Sequence, residues 1–221
     1  MKKFLNDIRS AENPISGNRK IINTIAVLFL GIALGTFSKF LDFRQAELPS
    51  VLMAIDGALD VHNFLGRFAI WVLIALCISI YSNSATRASV NVFAFFVGML
   101  IGYYVWTSVF AGFYPDIPYL MRWLILAVVS PFLAFLIWYA RGRGALAIGI
   151  SSVLIAIFCC FAFNLNFADF RILYLPEFIL WLASIGILFK DVKQSAFSLL
   201  ISIPVALSLE YTGLLGIIGI G

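Results

Sequence analysis

The chain of 221 residues is 62% hydrophobic and only 12% charged, with a mean hydropathy of +1.03. Ordinary soluble domains carry roughly 45–50% apolar and about 25% charged residues, so this composition excludes an aqueous globule and places the chain in a bilayer. The net charge of +4 arises from 15 Lys and Arg scattered without a basic run, which speaks for membrane topology and against a nucleic-acid partner.

The first element is a polar leader, residues 1–20, "MKKFLNDIRSAENPISGNRK". Phe4, Leu5 and Ile8 line one face of a short interfacial helix that stops before Pro14, and the leader is expected to be cytoplasmic and peripheral. The apolar run that follows is about twenty residues long, beyond the 7–15-residue core of a cleavable signal, and is expected to remain as an anchor. Residues 21–221 then form a single transmembrane bundle.

Seven stretches approach the length of about 20 apolar residues that a spanning helix needs. They are Ile22 to Leu41, Phe64 to Ser82, Ala88 to Gly112, Tyr119 to Ala140, Ala145 to Asn166, Leu175 to Phe189 and Ser195 to Ile220. The sixth is short, and without it the count falls to six. The expected fold class is an all-α polytopic bundle of six or seven spans in the bacterial cytoplasmic membrane. With the amino terminus cytoplasmic, ten of the 15 basic residues fall inside, leaving Lys39, Arg44, Arg67, Arg122 and Arg171 outside. Eight of the 11 acids fall outside, as do ten Trp and Tyr residues against three within. Because interfacial aromatic belts normally mark both surfaces, this asymmetry points to an outward-facing aromatic and charged cavity.

Between the first two spans, residues 49–62 carry an outer amphipathic segment. Pro49 starts a helix, Val51, Leu52, Ile55 and Leu59 make its apolar stripe, and Asp56 and Asp60 fall four apart on one face. His62, the single histidine, follows. These residues lack the ligand spacing of a metal site, so no metal or cofactor is expected. Asp60 and His62 are the candidate acid and base if the protein is an enzyme, although no nucleophile motif accompanies them. Cys77, Cys159 and Cys160 lie inside apolar runs and read as inert thiols.

Glu210 stands between apolar stretches in "VALSLEYTGLLGIIGIG", where an acid costs about 2.5–3.5 kcal/mol at a membrane helix centre and therefore seeks a partner or water. Arg122 and Arg67 are its candidate partners. Trp106, Trp123 and Tyr211 are candidate stacking residues, with Asp56, Asp60 and His62 forming a lid. Gly31 and Gly35, and Gly98 and Gly102, have the small-xxx-small spacing that brings helices close, either within the chain or against a partner subunit or second copy.

The stretches "NVFAFFVGMLIGYY" and "SPFLAFLIWYARGRG" resemble a family of small bacterial multi-pass membrane proteins, a likeness that implies membrane location and no particular activity. In size and outward polarity the chain is also similar to the substrate-binding subunits of energy-coupling-factor transporters. It differs from them in its seventh segment and in having Gly31 and Gly35 where an alanine pair would stand in the first helix. The functional expectation is a membrane binding or transport protein for a small polar or zwitterionic solute. The alternatives are a membrane enzyme acting on a lipid or lipid-linked substrate, and a non-catalytic partner subunit or immunity-type protein.

Overall fold

A computed structural model describes residues 2–11, 15–44, 49–112, 117–166 and 168–217. In chain order the helices are α1 (Lys2–Ile8), α2 (Gly17–Arg44), α3 (Ser50–Leu59), α4 (Val61–Gly66), α5 (Phe68–Tyr81) and α6 (Ala85–Trp106). A π-helical turn, Thr107–Ala111, extends α6. Next come α7 (Ile117–Ile137), running into a 3-10 turn at Trp138–Arg141, and α8 (Ala145–Ala162). A small antiparallel hairpin, β1 (Phe163–Asn164) with β2 (Arg171–Ile172), leads to α9 (Leu175–Leu188), α10 (Val192–Thr212) and α11 (Leu214–Ile217). Five helical stretches within α2, α6, α7, α8 and α10 with their extensions are long and apolar enough to cross a membrane.

The all-α expectation is met, and the apolar runs predict the long helices well. The second and sixth expected spans hold shorter helices, for the sixth in line with its short apolar run. Both contain only 14-residue helices, α5 and α9, which at 1.5 Å per residue reach about 21 Å, short of a hydrocarbon core of about 30 Å. The last expected span is also shortened, because Gly213 takes a left-handed conformation (φ 60°) and caps α10 after Thr212.

The helices form two groups. In one, α2 lies along α6, and α6 along α7; in the other, α8 lies between α9 and α10. The α5 helix and the Trp138–Arg141 turn join them, contributing Trp71 and Trp138 to one buried cluster and Leu76, Ile80 and Ala140 to the other. Gly31 and Gly35 face Gly98 and Gly102 across the α2–α6 contact. A Cβ at Gly31 would meet the Phe95 carbonyl, and one at Gly98 the Leu28 carbonyl. The glycines therefore permit backbone approach within the chain, and contact with a partner subunit through them would require α2 and α6 to separate.

Large apolar side chains such as Phe29, Phe132 and Leu200 are exposed on the outside of these helices, as a lipid-facing surface requires. Several buried serines return their hydroxyls to the carbonyls of their own helices, as Ser79 does to Ala75 at 2.7 Å and Ser152 to Ile148 at 2.8 Å. The leader is more tightly held than a peripheral helix would be: Ile8 is 8% exposed, and its carbonyl accepts from the Arg143 backbone N–H at 2.9 Å.

Candidate functional site

Two short helices begin side by side at the end of the bundle that carries α3, α4 and the hairpin. The first residue before α5 is Arg67, in extended conformation, and the first turn of α9 carries Glu177 directly after Pro176. A carboxylate is favoured among the unpaired N–H groups of a helix start, whereas a cation there is disfavoured and needs an anion close by. Arg67 has two. Its Nε donates to Glu177 Oε1, and its Nη1 donates to Asp60 Oδ2 at 2.7 Å.

Asp60 reaches Arg67 because α3 breaks there. Asp60 adopts a left-handed conformation (φ 51°, ψ 45°), which costs a non-glycine residue energy but is best tolerated by Asp and Asn. The chain restarts as α4, whose two turns bring residue 60 back over residue 67. Asn63 donates from Nδ2 to Asp60 Oδ1 at 2.7 Å, so both oxygens of this carboxylate are held. The Tyr174 ring, just before α9, lies 4.1 Å from the Arg67 guanidinium and covers one of its faces.

Glu177 is 1% exposed and is among the largest fully buried side chains of the protein. Arg67 grips it through Nε alone. Among the described residues, neither Glu177 Oε2 nor Arg67 Nη2 has a hydrogen-bond partner, although both atoms are buried. An arginine presents Nε and Nη2 along one edge, the edge that ordinarily holds a carboxylate with two parallel bonds. The site therefore retains one unused donor on a cation and one unused acceptor on a buried carboxylate.

The residues expected from sequence divide sharply. Arg67 and Asp60 meet, and Asp56 lies one turn earlier on α3, half-buried. The backbone of His62 lies in α4, and its side chain is outside the described residues. Glu210 does not join them: it occupies the last turn of α10 and is exposed, with no ion pair to Arg67 or Arg122 among the described residues. Tyr211 beside it is 94% exposed, and Arg122 on α7 is exposed as well. The cap at Gly213 is the reason, since it ends α10 within the apolar tail and leaves Glu210 at a helix end.

Trp123 is a core residue, 7% exposed, stacked on Phe68 at 4.5 Å and edge-on to Trp71 at 6.3 Å. It borders a small cavity of about 20 Å³ with Tyr103, Tyr104 and Ser38, room for roughly one water. Trp106 is stacked on Phe110 at 4.3 Å and meets Phe40 edge-on at 5.6 Å. These aromatic groups support the core and helix ends around the site.

Sequence reasoning missed Glu177 and Tyr174 as site residues. The available signal was a Pro-Glu pair opening a short apolar helix, with a tyrosine immediately before it.

Comparison with family models, with curated proteins and with solved structures finds no match to this chain. The fold and site therefore stand on their own geometry.

Proposed function

We propose that this chain is a multi-pass membrane protein that binds a small zwitterionic solute where Arg67, Asp60 and Glu177 converge. The observation that carries the reading is the pair of unused buried atoms, Arg67 Nη2 and Glu177 Oε2. A ligand carboxylate would complete the arginine edge, and a ligand ammonium would take the second glutamate oxygen. Leaving such groups unmet costs about 1–3 kcal/mol each, more when charged, so a ligand supplying both gains what the protein alone forgoes. Tyr174 would shield the pair from water and strengthen these contacts. The outer location of the site follows from the cytoplasmic leader proposed from the distribution of basic residues.

The test is thermal unfolding of the full chain in mild detergent with neutral α-amino acids, and with the corresponding amino-acid amides, which lack the carboxylate. A zwitterion is expected to raise the unfolding temperature while its amide does not, and Glu177→Gln is expected to abolish the rise while helical circular dichroism persists. Equal stabilisation by acid and amide, or an unchanged rise in Glu177→Gln, would overturn the reading.

One observation favours a lipid-like ligand as the second reading. An apolar groove of about 670 Å³ lies between α8, α9 and α10, and Trp181, one turn after Glu177, borders it. The Trp181 indole N–H is buried without a partner among the described residues. A ligand with an acyl chain in the groove and a carbonyl at Trp181 would be retained as a lipid-mass adduct in native mass spectrometry and lost in Trp181→Leu. Equal retention by that variant would remove this reading.

A further inference from the structure

We propose that the opposite end of the bundle holds a binding site for a phosphate-bearing anion. A polar cavity of about 580 Å³ opens there, lined by Asp7 and Arg9 of the leader and by Arg141, Arg143 and Lys190 from the turns after α7 and α9. This volume falls in the roughly 300–1,000 Å³ range of small-molecule sites. Four cations and one carboxylate face it.

The positive-inside tendency accounts for basic residues at this end but not for their arrangement. Other cations here are engaged by the protein. Arg87 donates to the Lys20 carbonyl at 2.7 Å, to Asn91 Oδ1 at 3.0 Å and to Thr24 Oγ1. Arg9 donates to the Trp138 carbonyl at 2.7 Å and the Ile80 carbonyl at 3.0 Å. By contrast, Arg141 leans over the Tyr81 ring at 5.8 Å, and no ion pair reaches Arg141, Arg143 or Lys190 among the described residues. Beside the engaged Arg9, the cavity thus gathers three cations, Arg141, Arg143 and Lys190, that no carboxylate pairs among the described residues.

The turn that carries Arg141 and Arg143 is fixed before any ligand arrives. The Gly142 N–H donates to the Tyr139 carbonyl at 2.8 Å, the Arg143 N–H donates to the Ile8 carbonyl at 2.9 Å, and Gln194 Nε2 donates to the Gly142 carbonyl at 3.2 Å. Gly142 packs so closely on Ile8 that a Cβ there would meet the Ile8 side chain and carbonyl, and Gly144 closes the turn at φ 86°. The two guanidiniums are consequently presented from a rigid support, and planar guanidinium forks suit phosphate oxygens better than ammonium groups do. A phospholipid headgroup and a soluble phosphate compound both offer this chemistry.

Two arms distinguish the sources. The full chain in mild detergent is heated with inorganic pyrophosphate or with chloride at equal ionic strength, and separately the chain is extracted from vesicles of equal parts phosphatidylglycerol and phosphatidylcholine and its retained lipids are weighed by native mass spectrometry. Stabilisation by pyrophosphate beyond chloride identifies a soluble anion, and preferential retention of phosphatidylglycerol identifies a headgroup; either result supports the site. Each basic residue near an anionic surface is worth about fivefold in binding, so Arg141→Gln/Arg143→Gln should weaken the effect by about twenty-five-fold. If that variant does not fold, Lys190→Gln should weaken it about fivefold. No preference for pyrophosphate or phosphatidylglycerol in the wild type, or an unchanged preference in the folded variant, overturns the proposal. The substitutions leave Arg67 and Glu177 intact, so zwitterion binding at the other end is expected to persist.

Discussion

The two ends of α5 are each closed by an arginine, by opposite means. At its start, Arg67 is met by the side chains of Glu177 and Asp60. At its finish, Arg9 is met by backbone carbonyls, those of Ile80 in the last turn of α5 and Trp138 after α7, with the guanidinium also 4.2 Å from the Trp138 ring. Helix polarity explains the difference. Carbonyls left unpaired at a helix C-terminus accept from a cation directly, while the N–H groups at a helix start cannot, so a cation there has to bring carboxylates with it. One end is a mutual charge pair, where the ligand site is proposed, and the other is a clasp that fastens the leader to the bundle.

The largest effect that separates these cases is expected from Glu177→Ala. Removing one partner of a buried pair costs about 3–5 kcal/mol, and the remaining partner, Asp60, answers only one edge of Arg67. The sharper form is a double-mutant cycle with Arg67→Leu and Glu177→Leu. Each single change is expected to be strongly destabilising and the double change nearly neutral, because replacing both partners removes the uncompensated charge. Additive losses in thermal unfolding would break the claim that the pair is mutual.

Arg9→Leu comes next, at about 2–3 kcal/mol for charged hydrogen bonds to two carbonyls. Since its acceptors are main-chain atoms, no second substitution of a carboxylate should restore the loss, and proteolysis after Ile8 should accelerate with the leader released. An Arg9→Leu protein whose leader stays protected would contradict the clasp. A smaller effect is expected from Asp60→Asn, about 1 kcal/mol, because asparagine keeps the left-handed turn while losing the charge opposite Arg67. Tyr174→Leu should cost about 1 kcal/mol, the worth of a cation–π contact, and should raise the salt sensitivity of unfolding as water reaches the pair.

Much of this architecture was legible in the sequence because bilayer thickness turns composition into length. The runs that became α2, α6, α7, α8 and α10 were located by counting apolar residues, and Ser50–Leu59 by its apolar stripe. The breaks were not legible. Asp60 turns left-handed within a sequence that continues a helical pattern, and Arg67 splits a run that counts as one span. Glu210 misled for the related reason that an apolar glycine-rich tail carries no periodicity to show where Gly213 ends the helix.

The site was half legible. Arg67 and Asp60 lie seven residues apart and could be associated locally, but Glu177 is 110 residues from Arg67 and became a partner only through the packing of α5 beside α9. Arg9 illustrates the same limit, since its acceptors lie 71 and 129 residues away and are main-chain atoms that no side-chain pattern announces. Residue composition located the charged end of the molecule; tertiary packing selected which charges share a site.

The most direct measurement is native mass spectrometry of the gently extracted protein, comparing the wild type with Glu177→Gln. A small zwitterionic adduct is expected on the wild type and absent from the variant, with both proteins folded and the lipid adducts unchanged. A wild type that carries no such adduct when supplied with neutral amino acids, or a variant that retains it equally, would contradict the assignment of Arg67 and Glu177 as a binding pair.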